Sequence, residues 1–425
     1  MILYHLYGVR ATDTIITNSI AKTEEARTLC TMNKEMSQTK TAHAELADRE
    51  TVTNFHDPSP STDHGHGSRQ LVEHFQSIVR ARAIYYPVAY LLKRELGRGR
   101  QGIVFLGLRQ GARGSITRHA IKLFDPSIYS SAKKYWTDMG RLAIQISRLQ
   151  SIRSPNLVAR DIYEEANGIG YIQMEAVDGV DLRCFLHGRN IDIGRETSSD
   201  REKARLTDVI FNIDGDSIGI QPGIALYIMR QALRGLETLH KLGFVHSDVK
   251  PANIMIDSLG YVKLIDFGRA VMINEKTNFL LGSPLYMAPE THRREPSQAQ
   301  TDLYSVGLVG LELIRGKPLV DTTHMTESDL YQFKIDLLNH LPSMLPEHVR
   351  RNEHIVYLFQ RFLDPNPERR FPSAEAAESG PDGLLVIHKQ LALLGKDTEY
   401  GRELSLYLAK LDAANPNRSD RLDDL

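Results

Sequence analysis

Two short polar segments constrain the fold of this chain more than any other feature of its sequence. The first is His246–Asn253 (HSDVKPAN), and the second is Asp266–Gly268 (DFG). Together they hold carboxylates, an amide and a lysine, which are residue types that bind Mg²⁺ and phosphate. The two segments therefore indicate two neighbouring loops that carry a possible base, a possible phosphate-binding lysine and two possible magnesium ligands.

The chain is long enough for one large two-lobed domain, or for two domains, with tails. It has 425 residues, 41% of them hydrophobic and 25% charged. Its net charge of −1 gives no global electrostatic reason to expect nucleic acid or a membrane as partner. Cys30 and Cys184 are too few for a disulfide framework, which favours a reducing, cytoplasmic location. No apolar run of about 18 residues predicts a membrane helix, and Met1–Tyr7 makes a poor signal peptide.

Polarity divides the chain into an extension, a domain and a tail. Residues 1–80 predict a disordered or weakly helical extension, and Leu71, Phe75 and Ile78 have helical spacing near its end. The domain is expected over 90–390, with strands over about 90–175, helices over about 178–390 and an insert at about 187–221. Strands followed by helices predict an α+β fold, and residues 412–425 read as a polar tail.

Two groups of polar residues outside the main motifs could bind metal, but simpler interpretations are favoured. His64 and His66 lie in a Gly- and Pro-rich stretch that reads as a flexible linker. Asn212, Asp214 and Asp216 resemble part of a calcium loop, but the glycine and distal glutamate are misplaced, which favours a solvated turn.

A glycine-rich segment precedes the two polar motifs. Gly97–Val104 (GRGRQGIV) fits G-x-G-x-x-G-x-V, a spacing that dinucleotide-binding loops share in part. A dinucleotide-binding loop opens a helix, whereas here Ile103–Leu108 reads as a strand, so a strand–loop–strand hairpin is predicted. An ordinary Gly-rich hairpin is the alternative. The candidate phosphate-contacting residues are Leu96, Gly97, Arg98, Gly99, Arg100, Gln101, Gly102 and Val104.

In order and spacing, these motifs resemble those of the eukaryotic-like serine/threonine protein kinase family. His119–Lys122 (HAIK) resembles the V-A-I-K strand, which implies that Lys122 contacts the α- and β-phosphates of ATP and that Ala120 leaves room for adenine. Tyr171–Gly179 resembles the last small-lobe strand and the hinge. The resemblance then implies a gatekeeper at Met174 and backbone contacts to adenine from Glu175 and Val177.

The resemblance also assigns roles in the two polar segments. It implies that Asp248 is the base or orienter of the substrate hydroxyl and that Lys250 stabilises charge on the γ-phosphoryl group. Asn253 and Asp266 would hold Mg²⁺. The implied fold is the two-lobed protein kinase fold, and the implied cofactors are ATP and Mg²⁺.

The later motifs point to a protein substrate. Gly282–Glu290 (GSPLYMAPE) resembles the end of a kinase activation segment, which aminoglycoside-type phosphotransferases usually lack, with Ser283 bridging the catalytic Asp and Lys. Asp302 matches an aspartate that braces the catalytic loop, and Arg370 is expected to pair with Glu290. The expected function is therefore ATP-dependent phosphorylation of Ser and Thr hydroxyls on proteins that the sequence does not identify. Nothing in the sequence points to a particular oligomeric state.

Two departures from the family pattern affect control. Ser247 stands where most kinases have arginine, as in a bacterial-type kinase, so Thr277→Ala is expected to change activity little unless another basic group such as Arg269 receives a phosphate. Gln145 stands where a helix glutamate would pair with Lys122, which suggests low or partner-dependent activity. These departures favour the alternative function, a pseudokinase that acts as a scaffold or nucleotide sensor.

Overall fold

The computed structural model describes residues 66–196, 198–214, 217–266, 268, 270–276, 282–391 and 399–414. The predictions for residues 1–65, Arg269, Thr277 and the tail from 415 onward lie outside these ranges. The helices are α1 His66–Ala81, α2 Ala132–Leu149, α3 Leu182–Phe185, α4 Gly188–Glu196, α5 Asp200–Val209, α6 Pro222–Lys241, α7 Pro289–His292, α8 Ala299–Arg315, α9 Glu327–Met344, α10 Glu347–Arg350, α11 Glu353–Phe362, α12 Ala374–Ser379, α13 Leu384–Leu391 and α14 Tyr400–Ala414.

The strands fall into one large sheet and three small ones. They are β1 Ala83–Ile84, β2 Tyr90–Gly99, β3 Gly102–Gln110, β4 Ile116–Phe124, β5 Arg160–Ala166, β6 Ile169–Glu175, β7 Gly179–Asp181, β8 Phe211–Asp214, β9 Ser217–Ile220, β10 Phe244–Val245, β11 Ile254–Asp257, β12 Val262–Leu264 and β13 Val271–Met272. The large sheet has the order β1-β2-β3-β4-β6-β5, and all its pairs are antiparallel. It forms the strand-rich lobe.

Helices α1 and α2 pack with this sheet around one apolar cluster. Ser131 caps α2, because its hydroxyl accepts a hydrogen bond from the backbone of Lys134 at 3.3 Å. One face of α2 is buried at helical spacing. The buried side chains of α2 are Tyr135, Met139, Leu142, Ile146 and Leu149, and those of α1 are Leu71, Phe75 and Ile78. Residues 66–80 of the predicted extension therefore form a helix that contributes to the core of the lobe.

The second lobe is built around α6 and α8. Helix α6 begins at Pro222, which tolerates the first helical position because the N–H there would have no partner in the helix. Helix α8 is buried along almost its whole length and ends at Gly316, whose φ of +67° suits the left-handed cap. The two helices belong to a single large apolar cluster that also includes the buried side chains of β11 and β12.

The insert predicted between two helices contains α4, α5 and the β8–β9 hairpin, and it packs against α14. The ring of Tyr407 lies 5.6 Å from that of Phe185 in α3 and 5.2 Å from that of Phe211 in the insert, so α14 closes an aromatic cluster with both. An ion pair between Arg205 and Glu403 also joins α14 to the insert. Helix α14 is thus part of the second lobe.

The predicted α+β, two-lobed fold is confirmed. A six-stranded antiparallel sheet comes first in the chain, and a lobe dominated by helices follows it. In the ranges that the structure describes, no helix combines the length and the apolar character needed to cross a membrane.

Candidate active site

The glycine-rich loop is the tip of the β2–β3 hairpin. Gly99 pairs with Gly102, where φ is +149° and a Cβ would lie 1.8 Å from the carbonyl oxygen of Leu123, so only glycine fits. A Cβ on Gly97 would meet no atom within 4 Å. Five successive residues of the loop are exposed: Leu96, Gly97, Arg98, Gly99 and Arg100. The tip of the hairpin is therefore open to solvent.

Lys122 lies on β4 and connects the hairpin to the second polar segment. Its Nζ lies 2.8 and 2.7 Å from the two carboxylate oxygens of Asp266 and 3.3 Å from Oε1 of Gln101. Val104 pairs with Lys122 across the β3–β4 ladder. The side chain of Lys122 is 9% exposed and that of Asp266 is 37% exposed, so solvent still screens this ion pair in part. The sequence pattern placed Lys122 and Asp266 in one cleft, and the structure brings them into direct contact.

Paired residues of β4 and β6 form the wall where an adenine ring is expected. Ala120 pairs with Met174, and both are buried. Strand β6 ends at Glu175, and Val177 lies in the connection between β6 and β7. The small side chain at 120 lies opposite the predicted gatekeeper, at the point where the chain passes from one lobe to the other.

Asp248 is the centre of the first polar segment. Its carboxylate oxygen Oδ1 accepts a hydrogen bond from the hydroxyl of Ser283 at 3.0 Å, and Oδ2 accepts one from Nδ2 of Asn253 at 3.1 Å. The ammonium of Lys250 lies 3.2 Å from Oδ2 and donates to the Ser283 hydroxyl at 2.6 Å. All four residues are buried. The carboxylate is therefore held in one orientation by three neighbours.

The two candidate Mg²⁺ ligands lie at the ends of adjacent strands. Ile254 pairs with Leu264, and the backbone N–H of Ile265 donates to the carbonyl of Asn253 at 2.9 Å. Asn253 precedes β11 directly, and Asp266 follows β12 by two residues. The β11–β12 hairpin thus brings the two polar segments to the same edge, as the sequence predicted.

A buried aspartate braces the backbone of the first segment. Asp302, in the first turn of α8, accepts hydrogen bonds from the N–H groups of His246 and Ser247 at 2.8 and 2.9 Å, and its Oδ2 lies 2.8 Å from Nε2 of His240. Burial lowers the pKa of His246, which keeps its ring neutral in the core. Ser247 has a φ of +67°, so the backbone turns sharply just before Asp248. The predicted bracing role of Asp302 is confirmed.

Gln145 contacts the segment that carries Asp266. Its Nε2 donates to the carbonyl oxygen of Ala270 at 2.5 Å. One turn earlier on α2, Cδ1 of Leu142 lies 3.8 Å from the position that a Cβ on Gly268 would occupy. Gln145, the side chain expected to pair with Lys122, thus ties α2 to the residues that follow Asp266.

The predicted ion pair between Glu290 and Arg370 is confirmed. Nη1 and Nη2 of Arg370 donate to the two carboxylate oxygens of Glu290, each at 2.8 Å. The side chains are 0% and 4% exposed. This pair fixes the end of the activation segment to the residues that follow α11.

The carboxylate of Glu175 has a role that sequence reasoning missed, because only backbone contacts were expected there. Oε1 of Glu175 lies 2.8 Å from Nζ of Lys263 on β12, and Oε2 accepts from the N–H of Ala159 at 3.0 Å. The ion pair joins the end of β6 to the second lobe. The sequence could not predict this ion pair, because Glu175 and Lys263 are far apart in the chain. Both are also residue types that usually lie at a protein surface.

Lys334 is a second residue that sequence reasoning missed. It is 0% exposed, and its ammonium donates to the carbonyl of Pro284 and contacts Nε2 of His292 at 2.7 Å. Burial lowers the pKa of Lys334 well below its usual value. Burial, then the charges of Lys334 and Arg294, lower the pKa of His292 to about 3. The sequence did contain one indication of this burial, because Lys334 lies on the apolar face of α9 with Leu330, Leu337 and Leu341.

Residues 90–380 match the family model described as the protein kinase domain. Serine/threonine-protein kinase ste20 of Emericella nidulans is 35% identical to this chain over 197 residues, which cover 44% of this chain and 21% of that protein. Serine/threonine-protein kinase pakA of Talaromyces marneffei is 32% identical over 197 residues, covering 44% and 28%. The probable serine/threonine-protein kinase pknA2 of Bifidobacterium longum is 33% identical over 178 residues, covering 40% and 20%. The aligned part thus spans between a fifth and three tenths of the length of these relatives.

Proposed function

Because the chain belongs to the protein kinase family, we propose that it transfers the γ-phosphoryl group of ATP to serine and threonine hydroxyls of protein substrates. Phosphoryl transfer needs little covalent help from a protein, and its catalysis depends on positioning and charge stabilisation. The observation that carries the proposal is the contact set of Asp248, in which Lys250, Asn253 and Ser283 hold one carboxylate.

Asp248 is the proposed base or orienter of the acceptor hydroxyl. Its two oxygens are fixed by donors, so an incoming hydroxyl meets a carboxylate whose direction is already set. Lys250 lies 3.2 Å from this carboxylate and is placed to stabilise negative charge on the transferred group. Because both groups are buried, the charges that they offer need little rearrangement during the reaction.

The proposed ATP site lies between the glycine-rich loop and the connection between the lobes. The residues from Leu96 to Arg100 are exposed at the tip of the hairpin, where the phosphates would bind, and Lys122 is the proposed partner of the α- and β-phosphates. Adenine would lie beside Ala120, with hydrogen bonds to the backbone of Glu175 and Val177. The open space around Gly97 supports close approach of the phosphates.

Asn253 and Asp266 fit a magnesium site. Both donations from Asn253 use Nδ2, so the amide oxygen is the atom available to a cation. An ionised carboxylate has about four acceptor positions, so Asp266 can bind a cation while it pairs with Lys122. Mg²⁺ commonly takes one or two protein oxygens together with substrate phosphates. Within the described ranges, no cluster of three or more His, Cys, Asp or Glu side chains suggests a different metal site. The chemistry that the ion would supply is neutralisation of phosphate charge.

A protein substrate is supported by the segment after Gly282. Ser283 bridges Asp248 and Lys250, and the residues after it are buried and fixed by the pair of Glu290 and Arg370. A rigid surface beside the catalytic carboxylate suits an extended peptide. Lys250 itself is typical of serine and threonine specificity.

The test compares the wild type with Asp248→Asn in the full chain. Purified protein is incubated with Mg²⁺ and γ-labelled ATP, with myelin basic protein and dephosphorylated casein as acceptors, and self-labelling is measured alone. Phosphate transfer is expected to fall by about 10²- to 10⁴-fold, the usual contribution of a general base. Phosphoamino acid analysis is expected to give phosphoserine and phosphothreonine.

The matched control is Asp208→Asn, the same substitution on the exposed surface of α5, which is expected to leave transfer unchanged. Transfer that is equal in wild type and Asp248→Asn would contradict the proposal. Nucleotide binding by a wild type that transfers no phosphate would instead support the pseudokinase alternative.

A further inference from the structure

Helix α1 lies outside the part of the chain that matches the kinase family model, yet it belongs to the core of the strand-rich lobe. The match begins at residue 90, whereas α1 is His66–Ala81. Its buried side chains belong to the same apolar cluster as those of α2. They lie on one face of α1, and they are Leu71, Phe75 and Ile78, at 8%, 6% and 4% exposure. The apolar side chains of α1 and α2 therefore belong to one core in this lobe.

Polar contacts fix α1 at two further points. The hydroxyl of Ser68 accepts a hydrogen bond from the N–H of Ala132, the first residue of α2, at 3.1 Å. This N–H has no acceptor within its own helix, so Ser68 caps α2 from a neighbouring element. Nδ1 of His74 lies 2.7 Å from the carbonyl of Asn167 in the turn between β5 and β6. Together these contacts fix the start of α2 relative to the sheet.

The opposite end of α2 reaches the candidate active site. Gln145 donates to the carbonyl of Ala270, and Leu142 packs near Gly268. Both contacts lie just after Asp266, which holds the ammonium of Lys122. A shift of α2 would therefore move the segment that positions Asp266.

The tie that α2 makes through Gln145 is a weak one. A neutral amide–carbonyl hydrogen bond is about half as strong as a charge-assisted one, and a glutamine cannot neutralise Lys122. The stabilisation from apolar burial does not depend on charge, because it grows with the apolar area removed from water. The three buried side chains of α1 can therefore stabilise the position of α2 without an ion pair.

We infer that α1 is a positioning element of the active site, which keeps α2 in place through Phe75 and its neighbours where Gln145 provides no ion pair. The inference rests on the proposed kinase function. Leu71, Phe75 and Ile78 touch no reacting group in this scheme, and they act through α2 on the segment around Asp266.

The first experiment uses Phe75→Ala in the full chain, well below its unfolding temperature. Amide hydrogen exchange over residues 132–149 is expected to speed up by about tenfold, and Asp248-dependent phosphate transfer is expected to fall by a similar factor. The matched control is Phe211→Ala, which makes the same truncation at a side chain 2% exposed in the other lobe. It is expected to lower stability without changing exchange in α2 or the rate of transfer. If Phe75→Ala does not fold, Phe75→Leu replaces it, with the same direction of change expected.

The second experiment separates positioning from general stability. Gln145→Glu is made in the wild type and in Phe75→Ala. If α1 replaces an ion pair, the added carboxylate should restore transfer by a larger factor in Phe75→Ala than any gain in the wild type. Equal factors in the two backgrounds, or unchanged exchange in α2 of Phe75→Ala, would overturn the inference. A wild type that transfers no phosphate would refute the proposed function, and exchange in α2 would still decide whether α1 holds that helix.

Discussion

The ion pair of Arg370 and Glu290 allows a quantitative prediction about stability. Arg370→Met removes a guanidinium that is 0% exposed and that donates to both carboxylate oxygens of Glu290. The same guanidinium also donates to the carbonyls of Asp364 and Gln300, at 2.8 and 2.9 Å, and lies 4.7 Å from the ring centre of Tyr304. The substitution thus removes one charge and several fixed donors from the core.

The expected cost follows from what Arg370→Met leaves behind. Glu290 stays buried with the hydroxyl of Thr301 as a donor at 3.0 Å, but its charge is no longer compensated. Breaking a buried pair by removing one partner costs about 3–5 kcal/mol. The double variant Arg370→Met/Glu290→Gln removes both charges, so we expect it to cost about 2 kcal/mol less than Arg370→Met alone.

The assay is urea unfolding of the full chain followed by far-ultraviolet circular dichroism. The free energies of unfolding of the wild type, both single variants and the double variant are compared where the slopes agree. Arg370→Lys serves as a further variant, because a lysine keeps the charge but cannot make the paired contacts. A decrease in the free energy of unfolding of less than about 1 kcal/mol in Arg370→Met would refute the predicted cost. So would a double variant whose decrease equals the sum of the decreases in the two single variants.

Two further predictions concern Gly282 at the end of the activation segment and the buried side chain of His292. Gly282→Ala places a Cβ 2.4 Å from the carbonyl oxygen of Ser247 at a φ of +102°, so phosphate transfer should fall by about tenfold or more, whereas Gly243→Ala, with positive φ but open space, should not reduce it. An equal loss in both variants would contradict the clash. The pKa of His292 falls from 6.5 to about 3, so the unfolded chain binds a proton that the folded protein excludes, and stability is lost as the pH falls from 6.5 towards 3. At about 1.4 kcal/mol per pH unit, His292→Asn should remove roughly 4 kcal/mol of this acid dependence in urea titrations, and an unchanged slope would show that His292 does not stay neutral.

Local patterns predicted the elements that carry the proposed chemistry. Strand residues on both sides of Gly97–Gly102 predicted the hairpin, because two strands joined by a short glycine-rich turn usually pair with each other. The helix expected to carry Gln145 forms as Ala132–Leu149, and its buried apolar face fixes its register. Short loops after adjacent strands then brought Asn253 and Asp266 to one edge. The pairing of Glu290 with Arg370 came from the family resemblance, not from spacing.

The features that were missed depend on tertiary contacts that local patterns do not encode. Lys334 is buried against the usual tendency of lysine, because the carbonyl of Pro284 and the ring nitrogen Nε2 of a neutral His292 accept hydrogen bonds from its Nζ. Glu175 and Lys263 meet only once both lobes have folded. The spacing of Phe75 predicted a helix, but nothing in the sequence predicted that its partner would be α2.

The aromatic contacts of α14 bear on where a folding unit ends. The family match stops at residue 380, but Tyr407 packs on Phe185 and Phe211 within the same lobe. A fragment cut where the resemblance stops would lose this packing and expose an aromatic surface to water, with a tendency to aggregate. Proteolysis would reveal the same boundary, because cleavage is slow where the backbone is packed. The folding unit therefore includes α14 and extends beyond residue 380, where the match to the family model ends.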